Sequence, residues 1–138
     1  MRRRAQRDAL DHGSTVSAAS GRDVAVVGAS SLIGEAVIAE IRRSGLPVGR
    51  IHRLEELRDI GRGGADEEAE STPAMDAGSF DFSRVRLAFF CCRASLARSL
   101  APAAGHCLVI DGSGAFRDAA EVPLVLADVN AAALVLPR

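Results

Sequence analysis

The fold of this chain is decided by one stretch of its sequence, Asp23-Val24-Ala25-Val26-Val27-Gly28-Ala29-Ser30-Ser31-Leu32-Ile33-Gly34-Glu35-Ala36-Val37. The apolar run that ends at Val27 and is followed by Gly28 is typical of a buried strand in a parallel sheet. After a loop of small residues, Ile33, Val37 and Ile41 recur every four residues, which is the spacing of one helix face. Strand, glycine turn and helix in this order predict the first half of a dinucleotide-binding βαβ unit.

The glycine turn of this unit departs from the usual pattern at its middle position. Gly28 and Gly34 are spaced as the first and third glycines of G-x-x-G-x-x-G, but Ser31 stands where the middle glycine belongs. A glycine there lets the backbone approach the phosphates, so Ser31 narrows that approach. The hydroxyls of Ser30 and Ser31 could donate hydrogen bonds instead, and the alternative is a plain turn that binds nothing.

The composition of the chain excludes several classes of function. With 138 residues and 48% hydrophobic residues, the chain has room for one domain with a core, and a core without Trp or Tyr suits an α/β sheet. The absence of lysine excludes Schiff-base chemistry, and a net charge of −1 gives no reason to expect nucleic acid as a partner. No apolar run is long enough to cross a membrane, and three cysteines are typical of a reduced, cytoplasmic protein.

Along the rest of the chain, apolar runs alternate with helical patterns. This alternation predicts an α/β fold with a Rossmann-like, open and mostly parallel sheet and with helices on both faces. We expect one domain over residues 23–138, preceded by a disordered arm over residues 1–22. Gly45 is expected to end the first helix and Gly105 the second. The remaining predicted elements are strands at 49–54, 86–92, 107–111 and 122–129, a helix at 95–104 and a long loop at 55–78.

Several short motifs occur in the order in which one known family carries them. They are Gly28–Ala36, Ser79–Ser83, Leu87–Phe90, Val109–Asp111, Ser113–Arg117 and Val122–Asn130. Together they resemble the N-terminal, NAD(P)-binding domain of aspartate-semialdehyde dehydrogenase, and they are closer still to the Usg-type paralogues of that enzyme. The resemblance covers residues 23–134 of this chain.

This resemblance implies a nicotinamide dinucleotide, NAD or NADP, as the ligand. The cofactor-binding residues that it implies are Gly28, Ser30, Ser31, Leu32, Ile33, Gly34, Glu56 and Arg58. Arg58 matches the family arginine that holds the 2′-phosphate of NADP, whereas Glu56 and Asp59 stand where serines are usual and repel a phosphate. We therefore expect NAD to bind no worse than NADP, with Ser31 weakening or abolishing the binding of both. Arg117 matches the family arginine that binds a substrate phosphate through its planar fork.

The resemblance also shows what the sequence lacks. In the family, the nucleophilic cysteine and its histidine base lie in a second domain beyond the Val129-Asn130 landmark, and residues 131–138 contain neither. The sequence thus predicts a truncated family member that binds a dinucleotide but has no catalytic residues of its own. One alternative is a non-enzymatic interaction or structural paralogue that has lost nucleotide binding. The other is half of an enzyme, completed by another chain or cut short by a frameshift or a gene-prediction error.

Three cysteines and one aspartate lie in or near the ends of predicted strands. Cys91 and Cys92 are interpreted as small core residues, with a reactive thiol beside the cationic Arg93 as the alternative. Cys107 is interpreted as core, and the spacing of the cysteines matches no zinc pattern, so no metal site is predicted. Asp111 is expected to cap the turn that follows it rather than to contact a ligand.

The C-terminal segment is apolar beyond the last family motif. Residues 131–136 are three alanines, two leucines and a valine. A monomer would leave part of this run in water, so we expect self-association into a homo-oligomer, or a partner, through the face nearest the C-terminus. A short helix that folds back over the same face is the alternative.

Overall fold

The protein is a five-stranded parallel sheet with helices on both faces. A computed structural model describes residues 22–60 and 73–134. The strands lie in the order β3-β2-β1-β4-β5, and every neighbouring pair is parallel. The strands are β1 (Arg22–Val27), β2 (Val48–Glu55), β3 (Met75–Asp76), β4 (Leu87–Phe90) and β5 (Leu108–Asp111). The Rossmann-like fold class that the sequence predicts is therefore confirmed.

Within the described residues, three α-helices connect or follow these strands. They are α1 (Leu32–Arg43), α2 (Ala94–Leu100) and the short α3 (Ala127–Asn130). The first helix ends as predicted, because Gly45 follows it with a φ of +68°, a left-handed conformation that favours glycine. Strand β1 begins at Arg22, one residue before the predicted start of the domain, and the rest of the predicted disordered arm lies outside the described residues.

Strand β1 is the centre of the molecule, because both of its faces are covered. Val24 and Val26 point toward α1, where they pack with Ile38 and Ile41. The alternate residues point to the other face, which is covered by α2 and by the chain that leads into β4. This explains why the strand is apolar at nearly every position rather than at every second one.

The second face also carries a cluster of rings beneath β2 and β4. Phe80 meets Phe82 with centroids 5.2 Å apart and almost perpendicular planes, and Phe82 meets Phe90 at 6.2 Å. His52 is buried beside Phe80 and contacts an Asp23 carboxylate oxygen through Nε2 at 3.0 Å. The Ser79–Phe82 segment thus fixes the chain to the core after the segment that precedes β3.

The strand predicted at 122–129 is wrong. Residues 122–126 have no regular structure, and α3 takes up Ala127–Asn130. The side chain of Asn130 accepts a hydrogen bond from the Leu126 N–H at 2.7 Å and donates one to the Leu124 carbonyl at 2.8 Å. These are backbone groups that a strand would use for pairing, and Pro123 has no N–H to offer.

Two further differences concern the middle of the chain. Helix α2 ends at Leu100 rather than near Gly105, because Pro102 cannot donate the next helical hydrogen bond. Strand β3 was predicted as loop, since two residues are too few to show any periodicity. Residues 61–72 of that predicted loop lie outside the described residues.

The segment after β5 leaves apolar side chains in water. The exposed residues of this segment include Val122, Leu124, Leu126, Val129 and Leu134. Self-association through this face stays a prediction, and residues 135–138 lie outside the described residues.

Candidate functional site

The turn between β1 and α1 is closed by two glycines that have no room for a side chain. Gly28 has a φ of +77°, and its N–H donates to the Leu54 carbonyl of β2 at 2.8 Å. A Cβ at this position would lie 2.5 Å from the carbonyl oxygen of Cys91, at the end of β4. The first glycine is therefore required by backbone conformation and by the close approach of a neighbouring strand.

The second glycine seats the helix against the strand that precedes it. Gly34 lies in the first turn of α1, and a Cβ there would meet the Gly28 carbonyl oxygen at 2.1 Å and Ala29 Cα at 2.9 Å. Both contacts are with backbone, which cannot move aside as a side chain can. Gly28 and Gly34 thus hold the positions that the sequence assigned to the first and third glycines of a dinucleotide turn.

The Ser31 hydroxyl forms hydrogen bonds with backbone groups around the turn. Ser31 is the N-cap of α1, and its Oγ accepts the Gly34 N–H at 3.0 Å. The same hydroxyl is placed to donate to two carbonyl oxygens, that of Gly28 at 2.7 Å and that of Cys91 at 3.1 Å. The Ser31 hydroxyl therefore connects β1, α1 and β4.

Within the described part of the turn and helix, the backbone N–H groups that could bind an anion are those of the first two residues of α1. Among the described residues, the N–H groups of Leu32 and Ile33 have no hydrogen-bond acceptor, and both side chains are exposed. Such N–H groups at a helix start, together with the helix dipole, attract negative charge. The Ser30 N–H is not among them, because it donates to Glu55 Oε1 at 2.5 Å.

Glu55 is a site residue that the sequence reasoning missed. It is the last residue of β2, it is buried, and its carboxylate lies against the glycine turn. An acidic residue at the end of the second strand of a βαβ unit is placed to accept a ribose hydroxyl. The signal was available in the sequence, but β2 was predicted to end at Leu54, which put Glu55 in the following loop.

An open cavity of about 310 Å³ lies at the carboxyl ends of β1, β2 and β4. Ligands of open α/β sheets bind at this edge. The structure brings the predicted residues Gly28, Ser31 and Glu56 together here and adds Glu55 from the end of β2. The lining residues are Gly28, Ser31, Glu55, Glu56, Asp59, Cys91, Cys92, Arg93 and Leu96.

Glu56 forms ion pairs with two arginines at this cavity. Both terminal nitrogens of Arg93 contact its two carboxylate oxygens, and Arg58 Nε donates to Glu56 Oε2 at 2.7 Å. Arg93 is the residue before α2, so its pair with Glu56 joins the end of β2 to the loop after β4. Arg58, predicted to hold a 2′-phosphate, is thus engaged by the neighbouring predicted residue.

The pKa values of both cysteines at the cavity are raised rather than lowered, which argues against the alternative of a reactive thiol. Cys91 packs against the core on the α1 face and Cys92 on the α2 face, so the two thiols point to opposite sides of the sheet. Burial, with a smaller contribution from the Asp111 carboxylate, raises the pKa of Cys91 and raises the pKa of Cys92 to about 11. Burial also raises the pKa of Cys107. All three cysteines are partly buried and pack against the core, which is compatible with the interpretation as core residues.

The residues after β5 form a separate turn. Asp111 Oδ1 accepts the Ser113 N–H at 3.2 Å and the Ser113 hydroxyl at 2.6 Å, so its expected role as a cap is confirmed. Arg117 is exposed, next to Gly114, and does not line the cavity.

Within residues 22–60 and 73–134, no three His, Cys, Asp or Glu side chains form a group that could hold a metal ion. None of the helices in these ranges has the length and apolar character needed to cross a membrane.

A parallel sheet with a glycine turn, free helix N–H groups and an acidic residue at the end of the second strand is the arrangement typical of dinucleotide-binding α/β domains. Comparison with known families then places the chain more narrowly. Residues 23–136 match the family described as "Semialdehyde dehydrogenase, NAD binding domain", and the chain belongs to this family.

Similar proteins of known name support this assignment. A USG-1 protein homolog of Pseudomonas aeruginosa is 40% identical over 111 residues, and an aspartate-semialdehyde dehydrogenase of a Shewanella species is 30% identical over 114 residues. These alignments cover 79% and 81% of this chain but only 32% and 33% of the relatives. The chain therefore spans about a third of the length of the relatives it matches.

Solved structures show the same relation. The structure of a probable aspartate-semialdehyde dehydrogenase from Pseudomonas aeruginosa superposes with a TM-score of 0.71 at 38% identity, covering 81% of this chain and 34% of that one. Aspartate semialdehyde dehydrogenase II from Vibrio cholerae, complexed with ASA, superposes with a TM-score of 0.72 at 28% identity. The superposition covers 82% of this chain and 38% of that one.

Proposed function

We propose that this domain binds a nicotinamide dinucleotide across the carboxyl ends of β1, β2 and β4. The observation that carries the proposal is the turn at Gly28 and Gly34, where added Cβ atoms would strike backbone and where α1 presents two free N–H groups. The pyrophosphate would lie at the N–H groups of Leu32 and Ile33. The adenosine ribose would lie in the cavity, beside Glu55 and Glu56.

The residues present fit this ligand, but with fewer donors than an open glycine turn provides. The Ser30 N–H is occupied by Glu55, and the hydroxyl of Ser31 is bonded to carbonyl groups of its own turn. Both groups would have to exchange partners before they could contact a phosphate. This favours weak binding, and complete loss of binding would support the alternative of a structural paralogue.

We propose further that the chain by itself does not catalyse oxidation of a semialdehyde. When bound, a nicotinamide would supply the hydride acceptor, but a thiol nucleophile must first be ionised. All three cysteines of the chain have raised pKa values, so none is poised for this role. Arg117, exposed after β5, is proposed from the family resemblance alone as a contact for a substrate phosphate.

The test uses a proline at the first helical position. Leu32 is the first residue of α1, and Ser31 before it is extended with a ψ of 157°, so Leu32→Pro fits the backbone and removes a single N–H donor. Leu32→Ala removes the same exposed side chain but keeps the N–H. NAD and NADP are titrated into both variants and the wild-type chain by calorimetry at fixed salt.

We expect measurable binding to the wild-type chain and at least about tenfold weaker binding to Leu32→Pro than to Leu32→Ala. The factor follows from the loss of one hydrogen bond to a charged group, which contributes about 1.5–3 kcal/mol. No binding of either dinucleotide to the wild-type chain at millimolar concentration would overturn the proposal. Equal affinity of the two variants would show that the phosphates do not lie at the start of α1.

A further inference from the structure

Each nitrogen of the arginine at the start of α2 contacts a protein group. Both terminal nitrogens of Arg93 contact the carboxylate of Glu56, in the paired geometry that guanidinium and carboxylate groups favour. Its remaining nitrogen, Nε, donates to Ser95 Oγ at 2.7 Å. Although 43% of the Arg93 side chain is exposed at the cavity, all three nitrogens have partners.

The second arginine of this cluster shares the same carboxylate. Arg58 Nε donates to Glu56 Oε2 at 2.7 Å, so one oxygen of Glu56 serves both guanidinium groups. Glu56 is the least exposed member, with 25% of its side chain exposed against 61% for Arg58. Glu56 therefore pairs with Arg93, which lines the cavity, and with Arg58 beside it.

Two other carboxylates face the same cavity. Glu55 lies against the glycine turn, and Asp59 lines the cavity beside Glu56. With Arg58 and Arg93 paired to Glu56, the charges that an approaching ligand meets here are predominantly negative. A hydroxyl group can donate to such carboxylates, whereas a phosphate monoester, which carries about −1.5 to −2 charges at pH 7, is repelled by them.

We propose that Glu56 is the residue that sets cofactor choice at this site. By holding Arg93 through both terminal nitrogens and Arg58 through Nε, it competes with a 2′-phosphate for these two guanidinium groups, and it adds its own negative charge. The site therefore takes a dinucleotide whose 2′-hydroxyl is free, NAD rather than NADP. This inference rests on the proposed function, because it concerns the same cavity.

The proposal gives a definite prediction for the removal of one charge. Glu56→Gln keeps the shape of the side chain but removes its charge, which frees both arginines for a phosphate. We expect the wild-type chain to bind NAD more tightly than NADP. In Glu56→Gln, the ratio of the two dissociation constants shifts toward NADP by about tenfold or more, as expected for one new charge-assisted contact.

The matched control breaks an ion pair of the same kind at another place. Glu40 on α1 pairs with Arg43, with 2.7 Å between Glu40 Oε1 and a terminal nitrogen of Arg43, and both side chains are exposed. Glu40→Gln therefore changes the net charge by the same amount without touching the cavity, and its NAD-to-NADP ratio should equal that of the wild type. A further variant, Glu56→Gln with both Arg58→Gln and Arg93→Gln, should lose most of the gain in NADP affinity.

The outcomes separate this inference from the proposed function. If Glu56→Gln binds NAD as the wild type does and the ratio does not move, Glu56 is not the determinant, while dinucleotide binding stands. A wild-type chain that prefers NADP overturns the inference in the same way. A wild-type chain that binds neither dinucleotide overturns both, and a far-ultraviolet circular dichroism spectrum of each variant shows whether a lost affinity reflects a lost fold.

Discussion

Replacing Gly34 by alanine tests the close packing of α1 on β1, because two physical effects predict opposite signs. Helix propensity alone predicts stabilisation, since alanine is favoured over glycine inside a helix by about 1 kcal/mol. The structure predicts the reverse, because the new Cβ would lie 2.1 Å from the Gly28 carbonyl oxygen and 2.9 Å from Ala29 Cα. An ordinary contact of this kind is ~3.5 Å, so the helix would have to move by on the order of 1 Å.

The size of the effect follows from the kind of atoms in contact. Inserting a methyl group into a close-packed site costs about 1–3 kcal/mol, and the upper end applies because backbone atoms cannot change rotamer. Subtracting the gain in helix propensity leaves a net loss of about 2 kcal/mol in the free energy of unfolding. For a domain of this size, that loss lowers the urea midpoint by about 1–2 M.

The assay is urea unfolding followed by far-ultraviolet circular dichroism, since the chain has no Trp or Tyr for fluorescence. Gly78→Ala is the matched control. Its Cβ would meet only the Asp76 side chain, at 3.4 Å, and the Gly78 backbone is not left-handed, so we expect a change of no more than about 0.5 kcal/mol. A Gly34→Ala midpoint equal to or above that of the wild type would refute the packing argument and leave helix propensity as the dominant effect.

Two further predictions concern titratable groups. The Arg50 N–H and the His52 ring hold the pKa of Asp23 below its usual value, so its contribution to stability is complete above the unfolded-state pKa and is lost as the pH falls through the folded-state pKa. Urea midpoints of wild type and Asp23→Asn should therefore converge between about pH 5 and pH 2, and midpoints that stay parallel would contradict this assignment. Because burial raises the pKa of Cys92 to about 11, iodoacetamide should modify it about 100-fold more slowly than a free thiol at pH 7, as measured by mass spectrometry. Unfolding in urea should restore the rate, and rapid modification of the folded protein would show that the thiol is ionised.

The sequence by itself determined the centre of the fold, because the pattern that identifies it is local. The apolar run of β1, the small-residue turn and the periodicity of α1 lie within one continuous stretch, and its side-chain spacing distinguishes strand from helix without reference to a partner. The spacing of Gly28 and Gly34 was readable from the same stretch, whereas the close approach of Cys91 to Gly28 comes from the end of β4. The order of the short motifs was enough to identify the family, which the comparison confirmed.

Local pattern was insufficient for the elements whose state depends on distant partners. Strand β3 exists only because Met75 and Asp76 pair with the end of β2. The apolar segment at 122–129 has the composition of a strand, yet the side chain of Asn130 takes its backbone groups, and no strand forms. Composition cannot reveal which of two competing sets of hydrogen bonds a segment will make.

The chemistry of the candidate site was decided by tertiary structure. Glu55 and Ser30 are 25 positions apart, and Glu56 and Arg93 are 37 positions apart, yet each pair makes a direct hydrogen bond. The sequence named Ser31 and Arg58 as candidates for phosphate binding, but only folding shows that the serine hydroxyl bonds to carbonyl groups of its own turn and that the arginine pairs with Glu56. The residue type sets the charge and the hydrogen-bonding groups of a side chain. The partners that those groups meet are set by the parallel sheet, which brings particular strand ends to one edge.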